Sequence, residues 1–330
     1  MRFLRKHSFV VILLLLVYAS YFFTHLPSQR AYRSVLGASS NLVLFQEPLD
    51  GRGPLLTAID KANREILVEV YLLSDKQIIQ ALETASNRGV AVRILLEKHP
   101  FGGSNVNIKT YQELQRTHIP VKWTSNAFSL THEKAMVIDG QEAFVLNQNL
   151  TVSSFSKNRE YDIEDFNPED VGEIRRMFIA DWERKNFTPT DDNLVISPVS
   201  SRDGLSALIQ SATKSIVMET EVIEDRSLVD LLASKSRTIS LYIITPTLSQ
   251  ISSNKPALDT LSRAGAHVKT ISSPYMHAKL ILVDDSKAYV GSVNLSTQSM
   301  DENRELGIII SQRDIVSKLS EDFAADWGSN

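Results

Sequence analysis

Apolar positions along the chain come in short runs separated by amphipathic stretches. Residues 42–45 (LVLF), 66–73 (ILVEVYLL), 90–97 (VAVRILLE) and 121–123 (VKW) read as strands. Between them, 53–64, 76–87 and 106–118 carry apolar residues at the three- and four-residue spacing of a helix. Gly89 stops the second helix, the prolines and glycines of 99–105 (HPFGGSN) mark a loop, and Pro168 opens a helix running to about 184. Before that helix, HEKAMVID (132–139), EAFVL and REYDIED read as strands. The order then repeats. Strands at 194–198, 216–223, 239–245, 267–271, HAKLILVDD, KAYVG and ELGIIIS alternate with helices at 203–212, 226–235, 256–264 and 313–326. Strands alternating with helices predict an α/β fold, and runs apolar on both faces predict a sheet covered on both sides.

The repetition extends to individual residues at a constant offset of 145. His132 matches His277, Lys134 matches Lys279, Asp139 matches Asp284, Asn149 matches Asn294, and Asn158-Arg159-Glu160 matches Asn303-Arg304-Glu305. Phe178, Ala180, Asp181 and Trp182 match Phe323, Ala325, Asp326 and Trp327. One register held over that span is an internal duplication. The halves are 42–187 and 194–330, joined by a linker at 188–193 around the turn signal Pro189-Thr190-Asp191-Asp192. Each is expected to be a mixed β-sheet flanked by helices, the two packing about a pseudo-twofold axis.

The segment 1–26 stands outside this pattern. A short basic head (Arg2, Arg5, Lys6) precedes a run from Phe9 to Phe23 that is almost wholly apolar. Extended to Ser8 and Leu26, the stretch approaches the ~20 residues that span a bilayer. It is expected to form a hydrophobic helix serving as a membrane anchor. The alternative is a cleaved signal peptide, with acceptable residues at Val17-Tyr18-Ala19 before a cut at Ser20. Both place the main body outside the cytoplasm, behind a polar tether at 27–41, and the second makes it secreted. Residues 1–46 hold five basic and no acidic residues, so the rest carries 30 basic against 39 acidic. A net acidic body is a poor default partner for nucleic acid, whose binding rests on phosphate neutralisation. The absence of cysteine excludes disulfides, thiolate nucleophiles and cysteine-ligated zinc.

Strand side chains alternate, so His132 and Lys134 share a face, as do His277 and Lys279. If the halves pack symmetrically, two imidazoles and two ammoniums meet, with Asn149 and Asn294 adding amide donors. That set suits a phosphate diester. Lysines neutralise the oxygens, one histidine attacks phosphorus, and the other protonates the leaving oxygen. The attacking ring needs its Nδ1–H held, best by a carboxylate. Glu160 follows His132 at the same spacing as Glu305 follows His277, so each copy carries a carboxylate for its own histidine.

The two motifs resemble the HKD signature of the phospholipase D superfamily, His-x-Lys-x4-Asp followed by Gly-Ser-x-Asn. HAKLILVD, GSVN (291–294) and NRE (303–305) carry the resemblance most closely, and it spans essentially 42–330. It implies a covalent phosphohistidine on one histidine and an acid, then a base, at the other. It also implies phosphate contacts from the lysines, Asn149, Asn294 and Ser292, and glutamates buttressing the histidines. Asp139 and Asp284 are expected to be structural, behind the site. Copy one departs from the pattern, with Leu146-Asn147 in place of Gly-Ser. Asn147 can still donate a hydrogen bond, while the missing glycine bears on how closely the backbone approaches phosphate.

Weaker candidates remain. Glu69 and Glu219 interrupt strands at matching places and either pair with the lysines, form a buried structural ion pair or lie exposed at strand ends. Gly102-Gly103-Ser104 is a nest for phosphate or a plain turn. Phe128 and Tyr275 line a pocket or pack in the core, and Trp182 and Trp327 read as core. His7, His25, His99, His118 and His267 have no matched partner and are expected at the surface. No carboxylate–histidine cluster has metal spacing, so neither metal nor other cofactor is expected. The leading expectation is a phosphodiesterase hydrolysing phospholipid head groups at a membrane, with no obligatory protein partner. The alternatives are a phosphatidyltransferase of the cardiolipin synthase kind and, third, a metal-independent endonuclease.

Overall fold

The structure, a computed structural model, describes residues 41–101 and 105–329. The expected N-terminal helix, most of the tether and the 102–104 nest lie outside them. Among the described residues no helix is long and apolar enough to cross a membrane.

The first half supplies β1 (Leu42–Glu47), β2 (Glu65–Val70), β3 (Ala91–Leu96), β4 (Val121–Trp123), β5 (Lys134–Ile138), β6 (Glu142–Val145) and β7 (Asn158–Asp165). The second supplies β8 (Leu194–Ser197), β9 (Ser215–Thr220), β10 (Ser240–Pro246), β11 (His267–Ile271), β12 (Tyr275–Met276), β13 (Lys279–Val283), β14 (Lys287–Gly291) and β15 (Glu305–Ile310). One sheet runs β1-β7-β6-β5-β2-β3-β4, the other β11-β10-β9-β13-β14-β15-β8, which is the same order read from the opposite end. In each order three strands are parallel (β2, β3 and β4; β9, β10 and β11) and the others antiparallel, and β12 joins the first sheet as a parallel partner of β7. The parallel strands need crossovers, and helices Lys76–Asn87 and Arg226–Lys235 supply the first ones. Both start on an aspartate cap. Asp75 accepts from the amides of Gln77 and Ile78, and Asp225 from that of Leu228. Residues 188–193 are irregular.

Alternation along the strands feeds two different cores. Ile66, Val68, Ile94 and Met136 face the first half's own helices through Leu55, Ile59, Ile79 and Leu82. Ile216, Met218, Ile243 and Ile281 do the same in the second half with Leu205, Ile209 and Leu232. The opposite faces share one core. In it Leu67, Val137 and Ile163 join Leu280, Val290 and Ile308, together with Phe178 and Phe323 from helices Pro168–Glu183 and Arg313–Gly328. Trp182 and Trp327 pack at the edge of this shared core. His99, His118 and His267 are exposed.

The halves also exchange backbone. Strand β12 leaves its own half to pair with β7 (Tyr275 opposite Asn158, Met276 opposite Arg159), and Thr131 bridges Arg304 in return. Arg159 pairs with Asp326 at 2.6 and 2.7 Å, and Arg304 with Asp181 at 2.9 Å, each across the seam.

Behind these pairs lie Glu69 and Glu219, both buried. Of the readings open from sequence, they take the buried one and do not pair with the lysines. Glu69 faces Asp181, Glu133 and Arg304, and Glu219 faces Asp326, Arg159 and Tyr161. Burial pushes the Glu219 carboxyl up to about 8, Asp326 adds to this, and the nearby Arg159 does not offset it. The folded chain therefore keeps a proton that the unfolded chain releases near its ordinary 4.5. Stability from this group is fully present below that value and lost as pH rises through about 8. Glu219→Gln keeps the shape and removes the titration. It is expected to gain on the wild type between about pH 5 and 9, by roughly a few kcal/mol. Thermal melts across that range check this, and parallel curves for the two proteins would contradict it.

Candidate active site

Strands β5 and β13 begin at the lysines, not at the histidines as the sequence suggested. The backbone of each histidine is claimed by the other half. The amide of His132 donates to the Arg304 carbonyl at 2.9 Å, and that of His277 to the Arg159 carbonyl at 3.3 Å. The shared face nonetheless holds. Lys134 Nζ donates to the His132 carbonyl at 2.7 Å and lies 3.0 and 3.1 Å from the ring nitrogens. Lys279 Nζ donates to the His277 carbonyl at 2.8 Å, with the ring nitrogens at 3.4 and 3.5 Å.

The glutamates are exchanged. His132 Nδ1 lies 2.8 Å from Glu305 and His277 Nδ1 lies 2.6 Å from Glu160. This corrects the pairing within each copy that spacing suggested. The cause is the seam. The residue whose carbonyl holds each histidine is the arginine of the opposite half, and the next residue along is the glutamate. Each glutamate is itself held by the asparagine two residues before it, Asn158 to Glu160 at 2.8 Å and Asn303 to Glu305 at 3.1 Å. Both asparagines stand in the repeated Asn-Arg-Glu triplet, a visible signal to which no role was attached.

Each carboxylate fixes Nδ1–H, so that Nε2 is the ring nitrogen left to react. Burial pushes the His132 ring down to about 4, with Lys134 and Lys279 adding to this and Glu305 opposing it. Its Nε2 therefore carries a lone pair at neutral pH. Burial, then Lys279, pushes Lys134 down to about 7, so an anionic ligand would recharge it. Burial acts to raise Glu305, but His132, Lys134 and the Ser292 hydroxyl outweigh it and hold the carboxyl below its ordinary range.

Several expected phosphate ligands are placed elsewhere. Ser292 is fully buried, its Oγ accepting from the Leu306 amide and supporting Glu305, so it does not face a ligand. Asn147 is fully buried too. Its amide donates to Asp162 at 2.7 Å and its Nδ2 to the Gly291 carbonyl at 2.6 Å, so it ties the halves together. Asn149 and Asn294 keep side-chain oxygens buried without a partner. Gly291 faces Gly307 across the ladder, and a Cβ on either would collide with the other's strand or with the Tyr289 ring. The glycine thus makes room for tyrosine, not for phosphate. In the first half Leu146 and Asp162 stand at those positions, with Phe144 in place of Tyr289.

Asp139 and Asp284 do not lie beside the site. They lie at the far ends of β5 and β13, roughly 15 Å from the lysine ends by strand rise. Asp139 accepts from the amides of Asn63, Arg64 and Glu65, and Asp284 from those of Thr213, Lys214 and Ser215. Phe128 packs under Arg304, its ring 4.3 Å from the guanidinium. Glu69, Glu133 and Asp181 bring carboxylate oxygens within 4.8 Å of one another, with Arg304 as the cation beside them.

One residue at the site escaped notice. Glu221 accepts from Lys279 at 2.9 Å and from the Tyr275 hydroxyl at 2.9 Å, and lies 3.6 Å from His277 Nε2. Its position in the first half is Tyr71, whose ring meets the His132 ring edge-on at 4.6 Å. The sequence signal is a mismatch, tyrosine against glutamate, two residues beyond the matched Glu69 and Glu219.

The geometry has close company among known proteins. The chain is 27% identical over 334 residues to the Major cardiolipin synthase ClsA of Bacillus subtilis, covering 84% of this chain and 67% of that protein. It spans about two thirds of the length of the curated relatives it matches. Among solved structures, polyphosphate kinase from Porphyromonas gingivalis superposes with a TM-score of 0.67 at 14% identity, covering 87% of this chain and 50% of that one. Phosphatidylserine synthase from Haemophilus influenzae superposes with a TM-score of 0.63 at 13% identity, covering 85% of each chain. At such identity these two share the fold alone. The family described as "Cardiolipin synthase, PLD-like domain" matches residues 55–182 and 205–327, most of each duplicated half, and the chain belongs to this family of the phospholipase D superfamily.

Proposed function

We propose that this protein transfers phosphatidyl groups between alcohols through a covalent phosphohistidine, with water as a competing acceptor. The observation that carries the reading is the pair of crossed histidine–glutamate dyads flanked by Lys134 and Lys279 on one seam. His132 Nε2 attacks phosphorus as a P–N bond forms and the P–O bond to the leaving alcohol breaks. That oxygen takes a proton from His277 Nε2. The incoming hydroxyl then returns a proton to His277 as its oxygen forms the new P–O bond and the P–N bond breaks. Lys134, Lys279 and the amides of Asn149 and Asn294 hold the phosphate oxygens throughout.

Hydrolysis was the first expectation from sequence. The relatives named as cardiolipin synthases favour transfer, and the chemistry differs only in the acceptor. The lipid substrate and the membrane are the proposed partners. The apolar segment at 1–26 supports a membrane-held body outside the cytoplasm, which reporter fusions placed after residue 40 test by their activity on either side.

Mass spectrometry of products from phosphatidylglycerol vesicles tests the function. Cardiolipin and free glycerol are expected, and added ethanol should divert the intermediate to phosphatidylethanol. Activity is expected to survive EDTA. Phosphatidic acid as the sole product, unmoved by ethanol, would restore the hydrolase reading. Cleavage of single-stranded DNA without lipid turnover would make the chain a nuclease.

A further inference from the structure

We infer that Glu221 makes the two dyads unequal, holding His277 as the proton donor and leaving His132 as the nucleophile. This rests on the proposed phosphodiester transfer. The duplication by itself predicts equivalence, because each histidine has a lysine two residues on and a glutamate on Nδ1. The difference lies at one position. Val70 and Thr220 are the strand partners of Lys134 and Lys279, and the next residue is Tyr71 in one half and Glu221 in the other. The backbone places them alike. The Tyr71 amide donates to the Glu133 carbonyl at 3.0 Å, and the Glu221 amide to the Ala278 carbonyl at 3.1 Å.

Their side chains do opposite things. His277 faces two carboxylates, Glu160 at 2.6 Å on Nδ1 and Glu221 at 3.6 Å from Nε2, against one ammonium, Lys279. Tyr275 adds only a neutral ring and a hydroxyl that fixes Glu221. At the same range His132 faces one carboxylate, Glu305, and one ammonium, Lys134, with the Tyr71 ring edge-on to it. Burial pushes the Tyr71 hydroxyl up to about 12, so it brings no charge at neutral pH. Burial acts to raise Glu221, but His277, Lys279 and the Lys279 and Tyr275 hydrogen bonds outweigh it, and its carboxyl lies well below the ordinary range. A carboxylate 3.6 Å from Nε2 gives a proton on that nitrogen an anionic neighbour. The ring without one keeps its lone pair. Lys279 spends one N–H on Glu221 and one on the His277 carbonyl, and Lys134 spends one on the His132 carbonyl.

Glu221 acts through His277 and is a positioning residue, so its test must read protonation. Histidine-labelled full-length protein is examined by nitrogen NMR near neutral pH. His277 is expected to show the larger protonated fraction, and Glu221→Gln should move its ring signals toward the neutral form while leaving those of His132 unchanged. The kinetic arm compares phosphatidylglycerol with phosphatidyl-p-nitrophenol, whose leaving group departs as an anion and needs no proton. General acid assistance is worth about 10²–10⁴-fold. Glu221→Gln is therefore expected to lose about tenfold or more on the glycerol ester, under about threefold on the nitrophenyl ester, and to shift the basic limb of the pH–rate profile to lower pH. Retained nitrophenyl turnover also shows that the variant folds. A larger protonated fraction at His132, His277 signals unmoved by the substitution, or equal losses on both esters with the limb in place would each overturn the inference. The NMR result as expected with neither ester turned over by the wild type would sink the proposed reaction and leave the charge asymmetry standing.

Discussion

Alanine at either His132 or His277 is expected to remove nearly all turnover, by about 10⁴-fold or more, and the double variant should be little worse than either single one. The two rings sit on one seam and act on one phosphorus, one making the P–N bond and the other managing the leaving oxygen's proton. Residues acting as a unit lose their effect together, so the losses do not add. Two independent sites would behave differently, each single variant keeping about half the activity. Initial rates on phosphatidylglycerol decide between these, with thermal melts to show that the variants fold. The nitrophenyl ester separates the roles further. His277→Ala should recover much of its loss there, and His132→Ala should recover none, because no leaving group replaces a missing nucleophile.

Glutamine at Glu160 or Glu305 is expected to cost about 10²–10⁴-fold, because the carboxylate that fixes the ring's tautomer and orientation is lost. The informative part is which histidine suffers. Glu160 holds His277 and Glu305 holds His132. Glu160→Gln should therefore behave as a damaged acid, with a smaller loss on the nitrophenyl ester than on the glycerol ester. Glu305→Gln should behave as a damaged nucleophile, with equal losses on both. If each glutamate served the histidine of its own copy, the two patterns would exchange, which makes the crossing itself measurable.

Much of this protein was legible along the chain. The duplication, the order of strands, the mixed sheets and the pairing of each lysine with its histidine were readable because they depend on local period and on a register that repeats. Strand alternation alone put Lys134 beside His132. The asparagines supporting the glutamates were visible as part of a repeated triplet, though spacing assigned them no task. What the tertiary structure alone decided lies at the seam. His132 and Glu305 are 173 residues apart in sequence, and His277 and Glu160 are 117 apart. Counting along the chain paired each glutamate with the histidine upstream of it in its own copy. The fold reversed this because β12 and the bridge at Thr131 carry each histidine onto the opposite half. Burial reassigned Ser292 and Asn147 in the same way, since a side chain's type does not say whether its oxygen faces a ligand or another strand. Glu221 was hidden for a related reason. A duplication is recognised by its matches, and the chemical inequality between two equivalent halves resides in a mismatch whose meaning depends on the ring it faces.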